Sequence, residues 1–177
     1  MEHQTIVNWA GQTVRLTWQP YKQLKASDIV TSVHGYCFLD GKLVLVQMKG
    51  RGFNVPGGHV ENGEVPEQAL RREVYEEAYI AGNLTYIGAI EVNHSENESF
   101  SENGKYPRVG YQLFYRMDIT KRFPFLRQYE TTARIWVEPE QVPHVMNDHE
   151  LALLILKEAM TDKRNMVSNI DRESAFT

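Results

Sequence analysis

Between Pro66 and about Tyr79 the chain carries two stripes at helical spacing, one apolar and one acidic. Leu70, Val74 and Ala78 recur every four residues, so one face of a helix there is built to pack on a sheet. Glu73, Glu76 and Glu77 lie three and four residues apart, within roughly a 100° arc of a neighbouring face. Pro66 suits a first helical position, where its missing N–H has no partner to lose. The fold must therefore bury one side of this helix while leaving three acids at an edge. Like charges at this spacing disfavour a helix by roughly 0.2–0.5 kcal/mol per pair. Either basic neighbours compensate, as Arg71 and Arg72 would on a solvated face, or a hard divalent cation does.

The flanking segments supply the sheet. Gln12–Gln19 alternates Val14, Leu16 and Trp18 with polar residues, as a half-buried strand does. Ile29–Leu39 and Lys42–Met48 are apolar, β-branched runs separated by Asp40-Gly41, a dipeptide that tolerates positive φ and predicts a hairpin. Phe53–Val55 reads as a short extended piece stopped by Pro56-Gly57-Gly58. Leu84–Asn93 and Val109–Ile119 read as two strands joined by a polar loop, and Arg134–Glu138 as a short strand ended by Pro139. Gln4–Trp9 reads as a further strand, paired within the chain or with a neighbour. His149–Met160 is a second amphipathic helix, with Leu151, Leu154 and Ile155 on one side. Strands around two separated helices indicate an α/β sandwich with a mixed sheet.

At 177 residues the chain fits one domain with an adequate core. A formal charge of −4 argues against a duplex DNA binder, which is usually strongly basic. The single cysteine, Cys37, excludes an intrachain disulfide and suits a reducing compartment. No apolar run approaches a membrane span, and Met1-Glu2-His3-Gln4 does not open like a signal peptide, so a cytoplasmic location is expected.

The spacing around the acidic helix carries more. Gly58 is followed by five residues, Glu64, seven residues, and then Arg72-Glu73-Val74-Tyr75-Glu76-Glu77-Ala78-Tyr79-Ile80. This closely resembles the Nudix box, G-x5-E-x7-R-E-U-x-E-E-x-G-U with U a bulky aliphatic residue. Six of its seven fixed positions match, as do both aliphatic ones. Average residue usage would give those six by chance on the order of once per ten million start positions. The departure is Tyr79, where the family has glycine. That glycine ordinarily lies past the helix end, where positive φ is cheap without a Cβ. A tyrosine there implies a strained left-handed residue or a helix running on towards Gly82.

The resemblance implies a Nudix-type α/β/α sandwich over residues 1–160, followed by a mobile tail at 161–177. It implies a hydrolase acting on phosphoric anhydrides, with Mg²⁺ as cofactor and Mn²⁺ able to substitute. Glu73, Glu76 and Glu77 would be the metal ligands, helped by the Gly57 carbonyl, while Gly58, Glu64 and Arg72 brace the box. In MutT-like members a further acid lies six residues before a strand-starting tryptophan. Here Glu130 stands six before Trp136, which makes it the candidate general base alongside Glu76 and Glu77. Glu96, Glu98 and Glu102 are rivals on the other loop.

The partner implied is a small nucleotide-type diphosphate, possible forms including an oxidised purine nucleotide. Asn147 matches, within one residue, the asparagine with which MutT-like enzymes read such a base, although asparagine is also an ordinary helix N-cap. Arg51 and His59 flank the Pro-Gly-Gly turn within reach of phosphate oxygens. Phe53 and the tyrosines at 106 and 111 offer stacking faces. Two rival readings stand beside this one. An isopentenyl-diphosphate isomerase-like enzyme would need Cys37 open to the metal site. A non-catalytic nucleotide sensor of the same fold commonly loses box acids, all of which this chain keeps. Oligomeric state is not legible.

Overall fold

The computed structural model describes residues 3–161. Nine strands form one mixed sheet in the order β1-β2-β7-β8-β3-β4-β5, with β6 alongside β3 and β9 alongside β4. The strands are β1 (His3–Trp9), β2 (Gln12–Pro20), β3 (Val30–Leu39), β4 (Lys42–Met48), β5 (Phe53–Asn54), β6 (Gly57–His59), β7 (Ile80–Asn93), β8 (Val109–Arg122) and β9 (Thr131–Val137). Among the described strands β3 and β8 pair in parallel and the other pairings are antiparallel. Helix α1 (Pro66–Ala78) lies on one face, and α2 (Val142–Val145) with α3 (Leu151–Met160) on the other. The expected α/β/α sandwich with a mixed sheet is present.

Strand alternation explains how both faces are filled. In β4, Leu43 and Leu45 point into a core shared with Leu151, Ile155 and Ala159 of α3. Val44 and Val46 point the opposite way, towards Leu70, Val74 and Ala78 of α1. Leu70 is fully buried, which stabilises the fold by roughly 1.5–3 kcal/mol relative to exposure. Helix α1 begins as Pro66 suggests, at Val65, whose N–H is accepted by Gln68 Oε1 at 3.2 Å.

The Asp40-Gly41 turn forms as expected, with φ of 50° and 77°. Beyond it, β3 and β4 stay paired only at Phe38–Leu43 and Leu39–Lys42. They then splay. Strand β6 takes the vacated edge of β3, pairing Gly57 with His34 and Gly58 with Val33. Strand β5 takes that of β4, pairing Phe53 with Gln47. This split places the Pro-Gly-Gly turn between two central strands, directly against α1.

Several boundaries differ from those expected. Strand β7 starts at Ile80, one residue after the helix, where Ile80 pairs with Arg122; a register shift between Ala81 and Gly82 breaks the alternation that would have marked it. Strand β9 starts at Thr131 and ends at Val137, Thr131 pairing with Met48 and Ala133 with Gln47 across a register shift. The last helix begins at Leu151, two residues later than the amphipathic pattern implies. Met146 bridges to Phe53, and Asp148 accepts from Asn54 Nδ2 at 3.0 Å, which ties residues 146–148 to β5 ahead of the helix. Its N-cap position is Glu150, so Asn147 is not a helix cap. Strand β1 pairs with β2 along its whole length within the chain. The expected tail, apart from Thr161, lies outside the described residues. Among those residues no helix is long and apolar enough to cross a membrane.

Candidate active site

Helix α1 ends beneath the Pro-Gly-Gly turn, and its acids fall into two environments. Glu77 is buried, and its Oε2 accepts the Gly57 N–H at 2.9 Å. Burial pushes its carboxyl up to about 7 against the pull of that N–H, and the charges of Glu73, Glu130 and Glu76 push the same way. Glu76 is also raised, first by burial and then by neighbouring acids, with Arg72 opposing. Glu73 accepts from Arg72 Nη1 at 2.7 Å.

Arg72 is the hub of the surrounding brace. Its Nε and Nη2 donate to the two oxygens of Glu64 at 2.8 and 3.0 Å, a bidentate pair, and Nη2 also reaches the His59 carbonyl at 3.1 Å. The guanidinium hydrogen bonds, helped by the Glu61 N–H, hold the Glu64 carboxyl down at about 2. This pair ties the loop after β6 to α1. Arg72 also pairs with Glu76 at 3.7 Å, one turn on. Arg71 does not balance the acids; it turns away to the Gly82 carbonyl at 2.9 Å.

The glycines have steric reasons. A Cβ on Gly57 would stand 2.3 Å from the Val33 carbonyl oxygen and 2.7 Å from His34 Nδ1. A Cβ on Gly58 would stand 2.4–2.8 Å from the Glu73 carboxylate. Gly57 thus lets β6 lie close against β3, and Gly58 leaves room for the Glu73 carboxylate.

The acid face fits a divalent cation in charge and donor type. Glu73, Glu130 and Glu76 all bear on Glu77, Glu130 from an exposed position in the groove beside Tyr129, and the buried carboxyl carries an electrostatic load that a cation would relieve. As the side chains stand, Glu73 is held by Arg72 and Glu77 by Gly57. Among the described residues, accordingly, no three acids, histidines or cysteines already converge on one point.

Above Glu77 opens a cavity of about 390 Å³. Arg51, Phe53, Gly57 and Asn147 line it, so three of the four candidate substrate residues share a cavity with Glu77. His59 lies apart, in an adjoining groove that Arg51 and Gln112 also line, where it stacks on Tyr106 at 5.9 Å. Tyr111 is core, its hydroxyl given to Glu91 at 3.2 Å. Of the loop acids, Glu96 pairs with Arg15 and Glu102 with Arg108, whereas Glu130 is the one whose charge acts on Glu77. Cys37 is fully buried with its thiol pushed up by burial, and its Sγ donates to the Gly35 carbonyl at 3.4 Å. No thiol reaches the acid face, which removes the isomerase reading.

Sequence reasoning missed several lining residues. His34 stacks on Phe114 at 5.1 Å and is pushed down to about 4 by desolvation, so it is neutral at pH 7. Asn54, Gln112 and Asp148 add polar edges to the same cavity. Nothing local marks them. The Asn54–Asp148 contact joins residues 94 apart, and only the splayed strands bring them together.

The model of the NUDIX domain family matches residues 29–156, from the start of β3 into α3. The chain belongs to the Nudix family. Nudix hydrolases act on phosphoric anhydrides. A candidate 8-oxo-dGTP diphosphatase, YtkD of Bacillus subtilis (strain 168), is 37% identical over 83 residues, which cover 45% of this chain and 49% of that protein. The chain thus spans about half the length of this curated relative. Among solved structures, the Bacillus subtilis pyrophosphohydrolase BsRppH superposes with a TM-score of 0.66 at 24% identity, covering 88% of this chain and 94% of that one. The Nudix domain of Shewanella oneidensis NrtR, solved with ADP ribose, gives 0.55 at 17% identity over 78% and 91%. At these identities the structural likeness speaks for the fold.

Proposed function

We propose that this Nudix protein is a divalent-metal-dependent pyrophosphohydrolase that cleaves the diphosphate linkage of a nucleotide, with an oxidised purine nucleoside triphosphate as the favoured substrate. The observation that carries the reading is the buried Glu77, the one member of the α1 acid set that lines the cavity shared with Arg51, Phe53 and Asn147. Glu73, Glu76, Glu77 and the Gly57 carbonyl would hold the cation, Mg²⁺ or Mn²⁺. When bound, it supplies charge neutralisation for the phosphoryl oxygens and acidifies water. Arg72 and Glu64 keep the turn and helix in register while the acids change partners. Glu130 takes the proton of the attacking water as general base. Arg51 offers its charge to the phosphates. Phe53 supplies an apolar face for the base, and the Asn147 amide offers a donor and an acceptor to its edge. The likeness to YtkD supports the oxidised purine, and the single buried thiol supports a cytoplasmic setting.

The test is hydrolysis by purified protein with Mg²⁺ or Mn²⁺ across dNTPs, oxidised dGTP, ADP-ribose, NADH, dinucleoside polyphosphates and triphosphorylated RNA. Release of phosphate or pyrophosphate, greatest with oxidised dGTP and reduced to background by Glu77→Gln, is the expected outcome. Silence across the panel with nucleotide binding retained would instead make the protein a sensor.

A further inference from the structure

Tyr79 stands where the resembled motif has glycine, and it adopts the glycine's conformation, φ 54° and ψ 50°. An L-residue stays left-handed only where its surroundings hold it there. What holds this one is the start of β9 together with the 123–130 loop that leads into it. Between them they take up the final carbonyls of α1 one by one. Thr131 Oγ1 donates to Glu77 O at 2.7 Å, Arg134 Nη1 from β9 donates to Ala78 O at 2.8 Å, and Phe123 N donates to Tyr79 O at 2.9 Å. Arg134 Nη1 also donates to Phe123 O at 3.0 Å, closing the ring of contacts.

The side chain does the rest. The Tyr79 ring is 2% exposed, meets Phe125 edge-on at 5.4 Å and lies 6.1 Å from Tyr129. Its hydroxyl oxygen accepts the Gln128 N–H at 2.8 Å. Residues 125, 128 and 129 are thereby gathered around one side chain, and Glu130 follows directly. The next residue along, Thr131, is the one bonded to the Glu77 carbonyl, so Glu130 is held one position from the end of α1. A glycine would allow the same backbone turn but would offer neither the ring nor the hydroxyl.

We propose that Tyr79 is a positioning residue: its ring and hydroxyl hold the 123–130 loop against the end of α1 and thereby keep the Glu130 carboxylate beside the acid face. The catalytic half of this inference rests on the reading of Glu130 as general base. Tyr79→Phe is the informative variant, because it keeps the ring and its burial and removes only the acceptor for Gln128. Gln128 is exposed, so water can replace that acceptor and the fold should survive.

Two measurements separate the loop from the chemistry. Amide exchange of residues 126–130, measured without substrate, should quicken at least fivefold in Tyr79→Phe while the thermal midpoint moves by only a few degrees. Unchanged exchange would overturn the inference whatever the activity does. In a cycle with Glu130→Gln, Tyr79→Phe should lower kcat about tenfold in the parent protein, with KM nearly constant, and less than twofold when Glu130 is already glutamine. Equal losses in both backgrounds would show that Tyr79 acts on the fold alone and would overturn the positioning role. If exchange quickens but Glu130→Gln is fully active, the assignment of Glu130 has failed and the catalytic half of the inference falls with it. If Glu77→Gln is also active, the hydrolase reading itself is lost.

Discussion

Replacing Tyr79 with the glycine that the Nudix motif calls for should weaken this protein. The substitution has two opposing effects. It relieves a left-handed tyrosine, worth roughly 1–2 kcal/mol for an L-residue in that region, and it deletes a ring that is 2% exposed and packed against Tyr75, Phe125 and Tyr129. Truncating a buried aromatic side chain costs about 3–5 kcal/mol. The lost bond from Gln128 N adds about 1 kcal/mol. The net is a loss of about 3 kcal/mol, dominated by packing. With a urea m-value of about 2 kcal/mol/M, the denaturation midpoint should fall by about 1.5 M. Tyr79→Phe keeps the ring and the strain, so its midpoint should fall by no more than about 0.5 M on the same scale. An unchanged or higher midpoint for Tyr79→Gly would refute the reasoning, because backbone strain would then outweigh everything the ring contacts.

Three further outcomes follow from the site. Gly57→Ala brings a Cβ against backbone and should cost about 2 kcal/mol in chemical denaturation, whereas Gly58→Ala meets only the movable end of Glu73; the latter should keep its thermal midpoint within about 2 °C yet lose at least tenfold in hydrolysis. Glu64 is depressed from 4.5 to about 2, so its stabilising effect is full above pH 4.5 and is lost as pH falls towards 2. An NMR titration should place its carboxyl near the lower value and return it towards 4.5 in Arg72→Met; no movement would mean that the bidentate pair is not its cause. Glu77 has the opposite sign. Its folded form holds the proton more tightly, so its cost is absent below pH 4.5 and grows as pH rises through 7. With metal chelated, Glu77→Gln should therefore be more stable than the parent at pH 8, by on the order of 2 kcal/mol, and indistinguishable from it at pH 4. Parallel stability curves at both pH values would contradict the buried-carboxylate picture.

Local patterns carried the reading where the physics is local. The stripe of Leu70, Val74 and Ala78, the proline at its start and the Asp40-Gly41 turn each act within a few residues, and each appears as expected. The ends of β7 and β9 were misplaced because register shifts and long-range pairing set them. Asn147 was open to reading as a cap for the same reason. Whether α3 could begin at His149 depended on the Phe53–Met146 bridge, which no pattern near residue 147 announces.

The motif spacing determines the chemistry of the acid face, because helical geometry alone puts Glu73, Glu76 and Glu77 on one side and Arg72 within reach of two of them. Tertiary structure decides which acid is buried, since Glu77 meets Gly57 only after β6 has entered the gap between β3 and β4. It also decides what the cavity can read, by bringing Asn54, Gln112 and Asp148 to the walls above that carboxylate. Tyr79 was left undecided between two helix endings by the chain's local preferences. The ring's burial among residues about 50 positions away, with the hydroxyl taken up by Gln128, outweighs the strain of a left-handed backbone.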